Sequence, residues 1–276
     1  MNVKKKKIPL ILLNARITKK SYNRWKIIPY TAKKLFQNFD ICFSQNQETR
    51  KYLKSLGAKK IKFLGNLKFS ESKSQKNYNF HNKLKKIFKY KRIWCAASTH
   101  NSEEKICALA HKKLKSKYKN LLTIIIPRHI QRSNNIINEI KDLDLNVQIR
   151  SADNKISKNT DIYLVDSYGE TKSFYKICKT VFLGGSLINH GGQNPLEPAR
   201  FGCKILHGPY VQNFSEVYNF LEKNNLSSKF HNTEQLVNSV KKSFSTKTNF
   251  TNKTIKLKKM GSYILNKTFT DISNYL

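Results

Sequence analysis

Acidic residues are scarce in this chain: 17 Asp and Glu stand against 53 Lys and Arg in 276 residues, a formal charge of +36. Arginine is scarce as well, with eight residues against 45 lysines. Sequence-specific base readout and bidentate phosphate contacts favour arginine. The lysines, moreover, are spread along the whole chain among many asparagines instead of forming one patch. Nucleic acid is therefore not an expected partner, whereas an anionic membrane surface is. Long apolar runs are missing: the longest, Ile8–Leu13, falls far short of the roughly 20 residues of a bilayer helix. The Lys4–Lys7 run resembles the start of a secretory signal, but Asn14 and Arg16 soon interrupt the apolar stretch after it and no small-residue cleavage site is present. The chain is expected to start in the cytoplasm. The five cysteines are scattered singly with no CxxC pair, which excludes a disulfide framework or zinc site and predicts buried, reduced thiols. No GxGxxG, Walker loop, HExxH or GxSxG occurs, so hydride transfer, nucleotide hydrolysis, zinc proteolysis and hydrolase chemistry lack their usual signatures.

What is present is a globular composition, 39% apolar and 11% aromatic, and a length that is a prior for about two domains. Short β-rich runs alternate with longer amphipathic stretches, the mark of a parallel α/β sheet. Strands are predicted at Ile8–Leu13, Ile41–Ser44 and Lys62–Leu64, with helices at Tyr30–Phe39 and Glu48–Leu56 closed by Gly57,. That is only part of a doubly wound domain. A polar, linker-like stretch comes next at Ser70–Asn82, and then a fuller alternation. Its six strands are predicted at Arg92–Ala97, Leu121–Ile126, Val147–Arg150, Asp161–Val165, Val181–Leu183 and Lys204–Leu206. The helices between them are expected at Ser102–Lys117, Ser133–Asp142, Glu170–Cys178, from Pro195, Phe214–Lys223 and Thr233–Phe244, with another from Thr251. The expected division is 1–75 and 76–276. Ligands of such a sheet bind outside the carboxyl ends of its strands.

The most informative stretch is GGSLINHGGQNPLEP, Gly184–Pro198, between a strand end and a helix start. Its glycines let the backbone come close to a ligand, Asn194 is placed to cap the helix and Pro195 suits its first position. An anion is expected at that helix start, with Glu197 able to accept hydrogen bonds from ribose hydroxyls; the same residues would equally make an ordinary capped helix after a loop. Pro127-Arg128-His129 also comes directly after a strand, and an arginine there can grip phosphate with two parallel hydrogen bonds or serve in a surface ion pair. Tyr168-Gly169-Glu170 turns a strand into a helix and is compatible with a plain helix start. The two acids Glu103 and Glu104 fall in the first turn of their helix, where they suit its dipole.

The succession NARIT at Asn14–Thr18, GNLKF at Gly65–Phe69, AASTH at Ala96–His100, PRH at Pro127–His129, GGS…GGQNPLEP at Gly184–Pro198 and HGPYVQNF at His207–Phe214 resembles the 3-deoxy-D-manno-octulosonic acid (Kdo) transferases of lipopolysaccharide assembly over nearly the whole chain. The resemblance implies a GT-B glycosyltransferase with two Rossmann-like domains, the amino-terminal one incomplete here. It implies transfer of Kdo from CMP-Kdo to the lipid A precursor by an inverting displacement at the cytoplasmic face of the inner membrane, without a metal or other cofactor. Carried over position by position, Pro127, Arg128, Tyr168, Gly169, Glu170, Asn194, Pro195, Leu196 and Glu197 would form the CMP site. Lys68 would stabilise the transition state by its charge, where composition alone makes it a solvated surface group. Family members begin with a membrane anchor and a half-domain holding a glutamate base, whereas Met1 stands shortly before NARIT in this chain. The chain is thus expected to be amino-terminally truncated, to transfer little Kdo alone, and to have a separately encoded amino-terminal half as a candidate partner. Two other functions fit the residues less fully: a UDP-sugar transferase of the same architecture, and a basic protein binding nucleic acid or anionic lipid.

Overall fold

The computed structural model describes residues 6–70, 82–151, 156–246 and 250–275. They form two compact units, Met1–Lys73 with Ile255–Leu276, and Ser74–Thr254. The polar stretch expected as a linker lies almost wholly outside the described residues.

The first unit carries a parallel sheet of three strands, β1 (Ile11–Ala15), β2 (Ile41–Ser44) and β3 (Ile61–Phe63), in that order. Helices α1 (Lys19–Ile27), α2 (Pro29–Phe36) and α3 (Gln47–Ser55) connect them. Each start has a local cause. The Thr18 hydroxyl accepts from the Ser21 N–H at 3.2 Å, Pro29 brings its preset φ to the first position of α2,, and the Asn46 side chain accepts from the Thr49 N–H at 2.7 Å,. Ala32, Phe36, Cys42, Leu53 and Leu56 form the core. Helix α1 was not expected: it buries no residue fully, and only Tyr22 and Trp25 of it pack against the core, Tyr22 stacking on Tyr52 at 4.2 Å and Trp25 meeting Phe36 edge to face at 5.5 Å. Helix α2 ends at Phe36, three residues before the predicted end.

The second unit runs α4 (Asn82–Tyr90), β4 (Arg92–Thr99), α5 (Glu103–Lys115), β5 (Leu121–Pro127), α6 (Ser133–Ile140), β6 (Val147–Ile149), β7 (Ile162–Leu164), α7 (Thr171–Ile177), β8 (Thr180–Leu183), α8 (Leu196–Arg200), β9 (Lys204–His207), α9 (Ser215–Lys223), β10 (Ser227–Lys229) and α10 (Thr233–Ser245). Its seven strands are all parallel, in the order β10-β9-β8-β4-β5-β7-β6. Six were expected; β10, Ser-Ser-Lys, offers no apolar run and is recruited by pairing with β9. From β4 the chain winds outward through β5 to β6 and β7, then returns to β8 and winds the other way. The switch point therefore lies between β4 and β8, where sheets of this kind open a ligand crevice. The core beneath includes Trp94, Leu114, Ile125, Ile136, Phe182 and Phe230. Inside it, His111 joins Thr123 Oγ1 at 2.8 Å and Asp161 Oδ1 at 3.4 Å, and Asp161 also accepts from the Lys115 ammonium at 2.8 Å and the Asn146 N–H at 3.0 Å. All five cysteines are buried and unpaired.

The last helix, α11 (Phe250–Ser273), corrects the expected division, which gave it to the second domain. From Ile255 it belongs to the first unit. There Ile264 lies against Gly65, and Gly261 lies so close that a Cβ would fall 2.2 Å from the Phe69 carbonyl oxygen. Asp271 completes the seat with an ion pair to Lys62 at 2.8 Å. No helix among the described residues is long and apolar enough to cross a membrane.

Candidate functional site

Strand β4 ends irregularly. Its register with β5 shifts between Ala97 and Thr99, and two non-glycine residues, Ser98 (φ +56°) and Ser102 (φ +70°), take left-handed backbone on either side of His100. Such conformations are sparsely populated and concentrate at functional sites. The turn aims Glu103, in the first turn of α5, at the loop after β8. Its carboxylate is fully buried and accepts four backbone N–H groups: His100 at 2.9 Å and Gly185 at 2.7 Å on Oε2, Ser186 at 3.1 Å and Leu187 at 2.9 Å on Oε1. Burial raises its pKa, and the four N–H bonds, which favour the charged form, only partly offset that rise,. Gly184 makes the closure possible, since a Cβ there would stand 2.4 Å from the Ser98 carbonyl oxygen and 2.5 Å from the Thr99 Cα.

This alters the reading of the glycine loop. The backbone donors of residues 185–187 are occupied by the protein's own carboxylate. The sequence assigned Glu103 only to the helix dipole; the partner that explains it lies more than 80 residues away.

Around this caged carboxylate stand three histidines. The His100 ring lies 4.4 Å from that of His190 and 6.1 Å from that of His129, centre to centre. Burial, followed by the neighbouring His190, lowers the pKa of His100 below its ordinary value. Among the described residues no group of three or more His, Cys, Asp or Glu is placed to hold a metal ion. Thr99 Oγ1, buried beside them, has no hydrogen-bond partner among the described residues.

The expected site residues of the second unit sit on neighbouring strand ends. Pro127 closes β5 and is buried; Arg128 comes next, exposed, its N–H donating to the Thr99 carbonyl at 2.9 Å. Beyond β7, Tyr168 is exposed and Gly169 (φ +86°) has open space around it. Glu170 is gripped by Arg150 through Nε at 3.1 Å and Nη2 at 2.9 Å and also accepts from the Ser167 hydroxyl. The Arg150 bonds, opposed in part by burial, hold its carboxyl below the usual range.

Helix α8 starts at Leu196, so Pro195 is its cap and not its first residue; the Asn194 side chain still accepts from the Leu196 N–H at 3.1 Å. With five residues this helix supplies little dipole,. Glu197 pairs with Lys172 at 3.3 Å. Lys68 belongs to the first unit, on the 3-10 turn Leu67–Ser70; the Asn14 side chain accepts from the Leu67 N–H at 3.1 Å and so ties the GNLKF turn to NARIT.

Comparison with solved structures agrees with this layout. The crystal structure of the C-terminal CMP-Kdo binding domain of WaaA from Acinetobacter baumannii aligns with a TM-score of 0.56 at 26% identity, covering 64% of this chain and 91% of that one. The Anabaena protein Alr3699/HepE in complex with UDP and glucose aligns over 99% of this chain and 73% of its own with a TM-score of 0.54; at 10% identity it speaks for the fold alone. A parallel α/β chain with such a switch point and these neighbours has the GT-B glycosyltransferase architecture.

The sequence makes the assignment narrower. The family model for 3-deoxy-D-manno-octulosonic-acid transferase (kdotransferase) matches residues 1–71. The 3-deoxy-D-manno-octulosonic acid transferase of Haemophilus influenzae is 33% identical over 214 residues, 76% of this chain and 50% of that protein. Over that matched part the chain belongs to the Kdo transferase family. It spans about half the length of the curated relatives it matches.

Proposed function

We propose that the second unit binds CMP-Kdo and that the chain takes part in transferring Kdo to the lipid A precursor. The observation that carries this reading is the convergence of Arg128, Tyr168–Glu170 and Asn194–Glu197 on the strand ends around one switch point, in a unit similar to a domain named for CMP-Kdo binding. In this scheme the Arg128 guanidinium meets the phosphodiester. Residues 168–170 and 194–197 enclose the nucleoside, with Glu197 accepting from a ribose hydroxyl. Lys68, on the first unit, keeps the role the family resemblance gives it, a positive charge that stabilises the transition state. The formal charge of +36 holds the protein at the anionic face of the inner membrane, where its lipid acceptor lies.

The test is thermal denaturation with CMP, with UDP and without nucleotide, repeated for Arg128→Ala and Glu197→Ala. A ligand at 100 times its Kd stabilises the native state by about 2.7 kcal/mol, so a clear upward shift with CMP, smaller with UDP and lost in Arg128→Ala, is expected. An equal response to UDP would favour a UDP-sugar transferase. A folded chain indifferent to CMP would overturn the reading.

A further inference from the structure

At the opposite end of the second sheet, where strands β4, β5 and β8 begin, lies a pocket of about 600 Å³. Strand β4 has eight residues, which places the pocket roughly 26 Å from the loops at the carboxyl edge. Six of its fifteen lining residues are cations, Lys89, Lys91, Arg92, Lys117, Lys119 and Lys179, and none is a carboxylate. Cations are thus about twice as frequent there as in the whole chain, 53 of 276.

One structural reason for such lysines is to answer the carboxyl ends of helices, and four helices, α4, α5, α7 and α10, end beside this pocket. Each contributes about half a negative charge, roughly two in all. Lys91 is also engaged, its ammonium donating to the Lys158 and Thr160 carbonyls at 2.6 and 3.0 Å. Five cations remain against about two negative charges, so neutralising the helix ends does not account for the cluster.

The walls are built as well. The Arg92 guanidinium lies 4.8 Å from the Tyr118 ring and 5.3 Å from the Phe244 ring, which meet edge to face at 5.3 Å. The two rings hold the guanidinium without neutralising its charge, and a guanidinium fork suits oxyanions. Phe88, Tyr90 and Ile177 supply apolar wall, and the volume exceeds what an inorganic ion fills.

We propose that this pocket is a second anion site that takes a phosphate group carried on a flat or apolar organic body. The phosphate sits among Arg92, Lys117, Lys119 and Lys179, and the organic part lies against Phe88, Tyr90 and Phe244. It does not depend on the nucleotide reading of the other edge.

The experiment uses the full chain carrying Arg128→Ala, so that the carboxyl-edge loops contribute little. The probes are phenyl phosphate, measured by titration calorimetry, and vesicles of phosphatidylglycerol in phosphatidylcholine, measured by co-sedimentation, both in about 0.15 M salt to screen diffuse attraction. Lys117→Glu with Lys119→Glu is expected to weaken binding about tenfold or more. The charge-matched pair Lys54→Glu with Lys223→Glu, exposed and outside the pocket, should change it by less than about twofold. Saturable binding of phenyl phosphate assigns the site to soluble organic phosphates; binding to vesicles alone assigns it to lipid headgroups. Equal weakening by both pairs, or no saturable binding of either probe, overturns the proposal.

Discussion

Replacing Glu103 by Gln changes one oxygen to an NH₂ group and leaves the shape of the side chain almost intact. Each carboxylate oxygen now accepts two backbone N–H groups, Oε2 from His100 and Gly185, Oε1 from Ser186 and Leu187. Whichever way the amide turns, its NH₂ faces two donors at full burial, and neither finds water. An orphaned buried donor costs about 1–3 kcal/mol, so the substitution costs roughly 2–6 kcal/mol, a large part of the about 5–15 kcal/mol that holds a typical protein folded. For a unit of this size each kcal/mol moves Tm by about 2–4 °C, and a fall of the order of 10 °C in a thermal melt at pH 7.5 is expected. Glu103→Ala vacates the cage altogether and should be partly restored by formate, whose carboxylate can enter the same donors. A fall of less than about 2 °C for Glu103→Gln, or no response of Glu103→Ala to formate, would refute the view that this carboxylate pins the loop.

Gly184→Ala should destabilise by about 1–3 kcal/mol in urea denaturation, because its Cβ would press on the backbone of Ser98 and Thr99, and neither is a flexible side-chain end that can step aside. Asp161 predicts an acid signature. Burial alone would raise its carboxyl, but the bonds from His111, Lys115 and the Asn146 N–H outweigh that and hold it well below the usual range. A carboxyl depressed on folding contributes stability that is complete above the unfolded value near 3.9 and is lost as pH falls below it. Asp161→Asn should therefore cost about 2 kcal/mol at pH 7, and the gap to the unaltered chain should begin to narrow below about pH 4 and go on narrowing as pH falls toward the depressed folded value,; a gap constant between about pH 4 and pH 2 would contradict the network.

The parallel strands were legible because strands covered on both faces read as continuous apolar runs, as Leu121–Pro127 and Thr180–Leu183 do,. Helix α1 escaped detection for the opposite reason: it buries no residue fully, and the Thr18 cap and the partial burial of Tyr22 and Trp25 against the core hold it in place. The place of α11 was invisible because its seat is made by two glycines and a carbonyl, Gly65, Gly261 and Phe69, and close backbone approach leaves no periodic trace. At the site, motifs named the loops, but what each residue touches was a tertiary matter. Arg150 is an unremarkable strand-end residue until Glu170 is seen in its grip.

Those contacts decide which groups are left for a ligand. Near the carboxyl edge Arg150 is matched by Glu170, Lys172 by Glu197, and Arg132 by Glu104 at 3.0 Å. His100, with its pKa lowered, is neutral at pH 7 and offers a hydrogen bond and no charge,. The donors of residues 185–187 already hold Glu103. Among the described residues no ion pair involves Arg128 within 4.0 Å, and its side chain is exposed. In the proposed scheme a phosphodiester arriving at the switch point thus meets in Arg128 a charge that, among the described residues, is not already spent on a neighbour, in a chain with only eight arginines. An arginine so placed binds the anion without first breaking an internal pair, so Arg128→Ala should remove nucleotide affinity and leave stability nearly unchanged, whereas Arg150→Ala should lower both, because it frees Glu170 to repel the same phosphate.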